Sequence, residues 1–138
     1  MPAAEAVQGE IIVPGRIYIA PGDWHMRVVG TSGVPQIALD QNERENYCRP
    51  AVDPMLRSIA NVYGDRVLVA ILTGMGQDGM LGGRAVAEKG GTIIAQDEDT
   101  SVVWGMPGAV ATTGLCSAVV PLDAVGRTIE NVIAGRTP

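Results

Sequence analysis

From residue 50 onward the chain alternates between two hydrophobic periods. Val52, Met55, Leu56, Ile59 and Tyr63 recur at three- and four-residue spacing, which predicts an amphipathic helix over residues 50–63. Pro54 fits only a first helical turn, so this helix begins there or just before. Residues 66–73 (RVLVAILT) form a continuous apolar run, the pattern of a strand covered on both faces. Residues 79–89 suit a second helix, stopped by Gly90 and Gly91. Residues 92–95 (TIIA) read as the next strand, and 107–113 as a short helix opened by Pro107 and ended by Gly114. Residues 117–120 give a further strand. Leu122, Val125, Ile129, Val132 and Ile133 mark a last amphipathic helix, closed by Gly135.

The first 50 residues read differently. Residues 16–20 (RIYIA) predict a short strand ended by a Pro-Gly turn. Residues 26–29 and 36–39 predict a hairpin around GTSG. Residues 40–50 (DQNERENYCRP) are a polar loop, and residues 1–12 a flexible, solvated lead-in to a domain spanning 13–135. Strands alternating with helices imply an α/β fold. The expected form is a doubly wound, mostly parallel, Rossmann-like three-layer sheet with an antiparallel hairpin. Such sheets place ligands at the C-terminal ends of their strands, where Thr73 ends its run.

Composition narrows the function classes. A length of 138 residues suits one domain with a real core. A net charge of -5 argues against general nucleic-acid binding, which needs a basic surface. No apolar run reaches the ~18 residues of a membrane span, so no membrane insertion is expected. The N-terminus has neither the basic nor the apolar region of a signal peptide. Cys48 and Cys116 share no metal or redox spacing and read as reduced thiols of a cytoplasmic protein. With a single histidine, no metal site is expected.

The densest chemistry lies in residues 71–80, ILTGMGQDGM. Gly74, Gly76 and Gly79 match G-x-G-x-x-G after a strand and before a helix, the arrangement of a dinucleotide-binding loop. Asp97, 18 residues beyond Gly79, stands where a ribose hydroxyl would want an acid. Against this, Asp78 would lie among the phosphates. Two unit charges at ~4 Å repel by roughly 4 kcal/mol at an effective dielectric of 20. The second reading is that the glycines expose Asp78, whose carboxylate orients a histidine. The only histidine is His25, after the Pro-Gly turn. Each residue also has a plainer reading: His25 as a hydrogen-bonded structural residue, Asp78 as a turn residue or helix cap. Ser32, Ser58, Ser101 and Ser117 lie in no recognisable nucleophile turn.

Four stretches together resemble the catalytic domain of the CheB protein-glutamate methylesterases of bacterial chemotaxis. They are YIAPGDWHM (18–26), CRPAVDPMLRSIA (48–60), LTGMGQDGMLG (72–82) and AQDEDTSVVWGMPGAV (95–110). The resemblance implies a Ser-His-Asp hydrolase that needs no cofactor and acts on methylated chemoreceptors, and that also deamidates glutamines. It puts the histidine role on His25 and the aspartate role on Asp78, with Met75 and Gly76 lining the substrate site. The family serine lies in a small-S-T-G-G turn that the chain does not show before Val13. The nucleophile is thus unknown, and the chain resembles a catalytic domain without its first strand, nucleophile turn and first helix, and without a receiver domain. Trp104, Met106 and Pro107 are expected to shape the core or site wall. Arg49 is either a solvated loop charge or a contact for receptor acids. Two expectations compete: a methylesterase domain inactive alone, or a non-catalytic module of the same fold that binds receptor or partner. A sheet missing a strand would in either case expose an edge and favour self-association.

Overall fold

A computed structural model describes the backbone of residues 1–138 and every side chain except that of Thr31. Its centre is a parallel sheet of three strands, β5 (Leu68–Ile71), β6 (Thr92–Gln96) and β7 (Ala118–Val120), in that spatial order. The earlier strands are β1 (Ala3–Glu5), β2 (Ile17–Ile19), β3 (His25–Thr31) and β4 (Val34–Asp40). Four helices complete the chain: α1 (Val52–Tyr63), α2 (Met80–Glu88), α3 (Gly105–Ala111) and α4 (Leu122–Ile133). Helices α2 and α3 are crossovers between strands that step in one direction. Right-handed crossovers therefore put both on one face, where α1 packs beside α2. After β7 the chain reverses, and α4 returns to pack against β5.

The main core lies between the sheet and α1–α3. Val67, Val69 and Ile71 meet Leu56, Ala60, Val86, Ile93, Ala95 and Val110 there. Helix α1 serves two partners. It packs on α2 along one side and on β3 along the other. Met55 accordingly touches both the main core and a smaller cluster of Ala6, Met26 and Ile37.

The α/β fold with parallel strands and an antiparallel hairpin is as expected. Strands β3 and β4 pair in register from His25–Asp40 to Thr31–Val34. Ser32 and Gly33, the two turn residues, have φ of 54° and 78°, as a tight hairpin requires. Two expectations are corrected. Residues 1–12 are not a flexible lead-in, although most of them are exposed: β1 pairs in parallel with β2, Ala6 is buried, and Ile12 donates its N–H to Pro35 O at the edge of β4. Nor is β5 covered on both faces. Val69 and Ile71 are buried, but Ala70 and Leu72 on the alternate face are exposed. The strand buried on both faces is β6, which lies at the centre of the sheet between β5 and β7.

Candidate active site

Helices α1 and α2 both begin without a cap of their own. Ala51 and Gly79 stand at the two N-cap positions, and neither has a side chain that accepts a hydrogen bond. The first amides of a helix need acceptors when buried. Each helix takes its acceptor from the start of the other. Val52 N–H donates to Asp78 Oδ2 at 2.7 Å, and Asp53 N–H to Asp78 Oδ1 at 3.0 Å. In return, Gly79 N–H and Gly82 N–H donate to Asp53 Oδ1 at 3.0 and 2.7 Å. Pro54, next in α1, has no N–H to satisfy. Both carboxylates are nearly sealed, Asp53 at 1% and Asp78 at 6% exposure.

One side chain joins the pair. Asn46 Nδ2 donates to Asp53 Oδ2 at 2.8 Å and to Asp78 Oδ1 at 2.9 Å. A carboxylate oxygen can accept two hydrogen bonds. Oδ1 of Asp78 is thus full, and Oδ2 receives one protein donor.

This arrangement decides the glycine motif. The amides that would hold a phosphate at the start of α2 are taken by Asp53. Asp97 closes a local turn, accepting from Thr100 N–H at 3.0 Å and Thr100 Oγ1 at 2.6 Å. The anion in the cradle is the protein's own, and the dinucleotide alternative is corrected on that ground.

The structure does not join His25 to Asp78 by a hydrogen bond. The His25 ring is fully buried, and both its nitrogens are engaged by backbone. Ala51 N–H donates to Nδ1 at 3.3 Å, so Nε2 carries the proton and donates to Glu43 O at 2.9 Å. The ring therefore spans the two ends of the loop 43–51. A general base must reach the proton it removes. The expected His25–Asp78 pair is replaced by two roles on adjacent amides: His25 holds Ala51, and Asp78 holds Val52 and Asp53.

Further ties fix the same loop. Arg49 contacts Asp23 through Nε at 3.1 Å and Nη2 at 2.7 Å, and holds the Asp23 carboxyl below its usual range. Arg49 also donates to Gln41 O and Asn42 O, so it is a loop tie. Arg57 Nη2 reaches both oxygens of Glu45 at 2.7 Å.

Beside this network opens a cleft of about 610 Å³. Asn46, Tyr47 and Trp104 line it, with Gly76, Gly105 and Gly108. Trp104 lies against Gly108 and donates Nε1–H to Gln96 O at 3.1 Å. Of the two expected lining residues, Gly76 reaches the cleft, while Met75 stands 83% exposed outside it. Among the described residues no serine hydroxyl bonds Asp78 or His25. Ser58 donates to Met55 O and Ser101 to Asp97 O.

Asn46 and Asp53 are the members that sequence reading missed. The available signal was a helix opening on Gly79 with no polar cap, which has to borrow an acceptor from elsewhere.

The family model described as CheB methylesterase matches residues 1–129. A protein-glutamate methylesterase/protein-glutamine glutaminase of Rhodospirillum centenum is 59% identical over 133 residues, 96% of this chain and 34% of that protein. One from Paramagnetospirillum magneticum is 62% identical over 135 residues, 97% of this chain and 35% of that protein. The chain thus spans about a third of the length of these curated relatives. The crystal structure of the Thermotoga maritima CheB methylesterase catalytic domain matches with a TM-score of 0.89 and 40% identity, covering 93% of this chain and 68% of that one.

Proposed function

The chain belongs to the CheB methylesterase family, and we propose that it supplies the aspartate side of a protein-glutamate methylesterase site acting on methylated chemoreceptors in the cytoplasm. The observation that carries this reading is the Asp78 carboxylate. It is buried at the strand C-terminal edge, held by three donors, and has one acceptor position on Oδ2 unused by protein. An imidazole N–H fits that position. Asp78 then fixes the ring's tautomer and stabilises the imidazolium that forms during acyl transfer. The nucleophilic serine and the base both come from outside residues 1–138. The serine attacks the ester carbonyl, methanol leaves with the proton returned by the base, and water hydrolyses the acyl-enzyme. An amide substrate follows the same course and releases ammonia. His25 keeps the loop 43–51 closed and takes no proton in this scheme.

The test is methanol release from methylated receptor. Residues 1–138 alone are expected to give only background. Joined to the remainder of a family catalytic domain, the chain is expected to release methanol, and Asp78→Ala to lower kcat roughly 10³- to 10⁴-fold. His25→Gln is expected to lower Tm and leave kcat within about tenfold. A His25→Gln loss as large as that of Asp78→Ala would return the base to His25.

Self-association is proposed for the chain when it stands alone. What supports it is the free edge of β5, at one end of the sheet, beside a groove lined by Met55, Ile59, Leu68 and Leu72. An apolar edge strand without a lysine or proline pairs readily with another chain. Light scattering is expected to show dimers or larger species. A monodisperse monomer at high concentration rejects it.

A further inference from the structure

Tyr47 occupies a position its side chain does not favour. Glu45 and Cys48 exchange two backbone hydrogen bonds, 3.2 Å and 2.9 Å, around the two-residue turn Asn46–Tyr47. Both turn residues have positive φ, 52° and 63°. The β3–β4 hairpin uses the same kind of turn, and there the second position is Gly33. Such turns prefer Asn followed by Gly, since only glycine takes the second position without steric cost. Asn46 obeys the rule, and Tyr47 breaks it. Burial does not compensate, because Tyr47 is 97% exposed. Backbone strain at a bulky residue that packing does not repay is found most often at ligand-contact positions.

The place where Tyr47 is displayed says what it meets. The turn cannot swing freely: Asn46 is bonded inward to two carboxylates, and His25, Arg49 and Arg57 hold the loop on either side. Tyr47 and Trp104 both line the cleft, together with Gly76, Gly105 and Gly108. None of the nine lining residues carries a charge at neutral pH. Directly behind Asn46 lie the carboxylates of Asp53 and Asp78. A neutral ligand meets no charge repulsion in such a cleft, whereas an anion meets two acids and no lining cation.

We propose that the cleft between Tyr47 and Trp104 binds the uncharged stretch of substrate polypeptide around an esterified or amidated glutamate, with Tyr47 as a contact residue. This rests on the methylesterase reading above and adds a selection: the neutral ester or amide is held, and the carboxylate product is expelled. The aromatic ring supplies rigid contact area, which suits a residue fixed in a strained turn.

The experiment titrates the chain with three peptides of one neutral sequence that differ only at the centre: glutamate methyl ester, glutamine or glutamate. The ester and glutamine peptides are expected to bind about tenfold more tightly than the acid. Tyr47→Gly and Tyr47→Ala are each expected to weaken ester and glutamine binding by about five- to tenfold, and Tyr47→Phe to restore it. Tyr47→Gly relaxes the turn, so its Tm is expected to rise by about 1–3 °C while binding falls. A purely structural tyrosine would show the rise without the fall. Equal affinity for ester and acid, unchanged binding by Tyr47→Gly, or binding of none of the three peptides overturns the inference. The parent reading is judged separately by methanol release from the completed domain. Release that persists in Tyr47→Gly with unaltered KM removes the cleft assignment alone, and no release from the parent protein removes both.

Discussion

Asp53→Ala is expected to lower unfolding free energy by about 3–5 kcal/mol, the range for removing one partner from a buried polar network. The side chain is 1% exposed and accepts from Gly79 N–H, Gly82 N–H and Asn46 Nδ2. An alanine gives nothing in return, and the space it leaves faces two backbone donors. Each buried donor left unsatisfied costs roughly 1–3 kcal/mol. A domain with only about 5–15 kcal/mol of stability loses a large share of it. Asp53→Asn separates charge from geometry. It keeps one oxygen for the two amides but turns an amino group toward Asn46, which also donates, so an intermediate loss of about 1–3 kcal/mol is expected. Chemical denaturation of the three proteins measures both differences. A loss under 1 kcal/mol in Asp53→Ala would mean that water replaces the carboxylate and that the network is not sealed.

Gly105→Ala is expected to cost about 2–4 kcal/mol, although alanine is the better helix former by roughly 0.5–1 kcal/mol. A Cβ at Gly105 would lie 2.7 Å from Gly76 O, 2.8 Å from Gly74 O and 2.9 Å from Gly76 N. All three atoms are backbone, so no side chain can rotate aside. The loop is held there by Gly74 N–H to Val103 O and Met106 N–H to Gly74 O, and Thr73 Oγ1 also donates to Val103 O. Pushing it outward moves the segment that ends in Asp78. Methanol release by the completed domain should therefore fall more than stability alone explains. Gly126→Ala is the control: its Cβ meets nothing within 4 Å in α4, and a gain of about 0.5–1 kcal/mol is expected. Similar Tm changes in the two variants would show that the loop yields easily.

Periodicity made the helices legible: α1 buries Leu56 and Ala60 along the stripe that Val52 and Ile59 continue, and in α4 the same spacing marks the helix although only Val125 of its apolar stripe is buried, Leu122 and Ile133 being exposed. β1 left no such record. Ala3–Glu5 is exposed throughout, and its existence depends on pairing with β2 rather than on any alternation of its own. The face of β5 was misread for a related reason: an apolar run does not say whether its second face is covered. At the site, Asp78 was legible because glycines bracket it. Its partners were not, since the two carboxylates serve helices some 25 residues apart in sequence. His25 shows the limit from the other side. A histidine after a Pro-Gly turn reads alike whether its ring faces a cleft or closes a loop, and here it is the loop that takes both nitrogens.

The exchange of acceptors between α1 and α2 also bears on how the molecule assembles. Neither helix has its first turn complete in isolation, because each lacks the oxygen that the other brings. The cost of nucleating one is met only when both are docked, which makes the two helix starts a single cooperative unit. Partial opening on either side releases Asp78 as well. Populations with a half-formed site are therefore suppressed, and the carboxylate is presented in one geometry or in none.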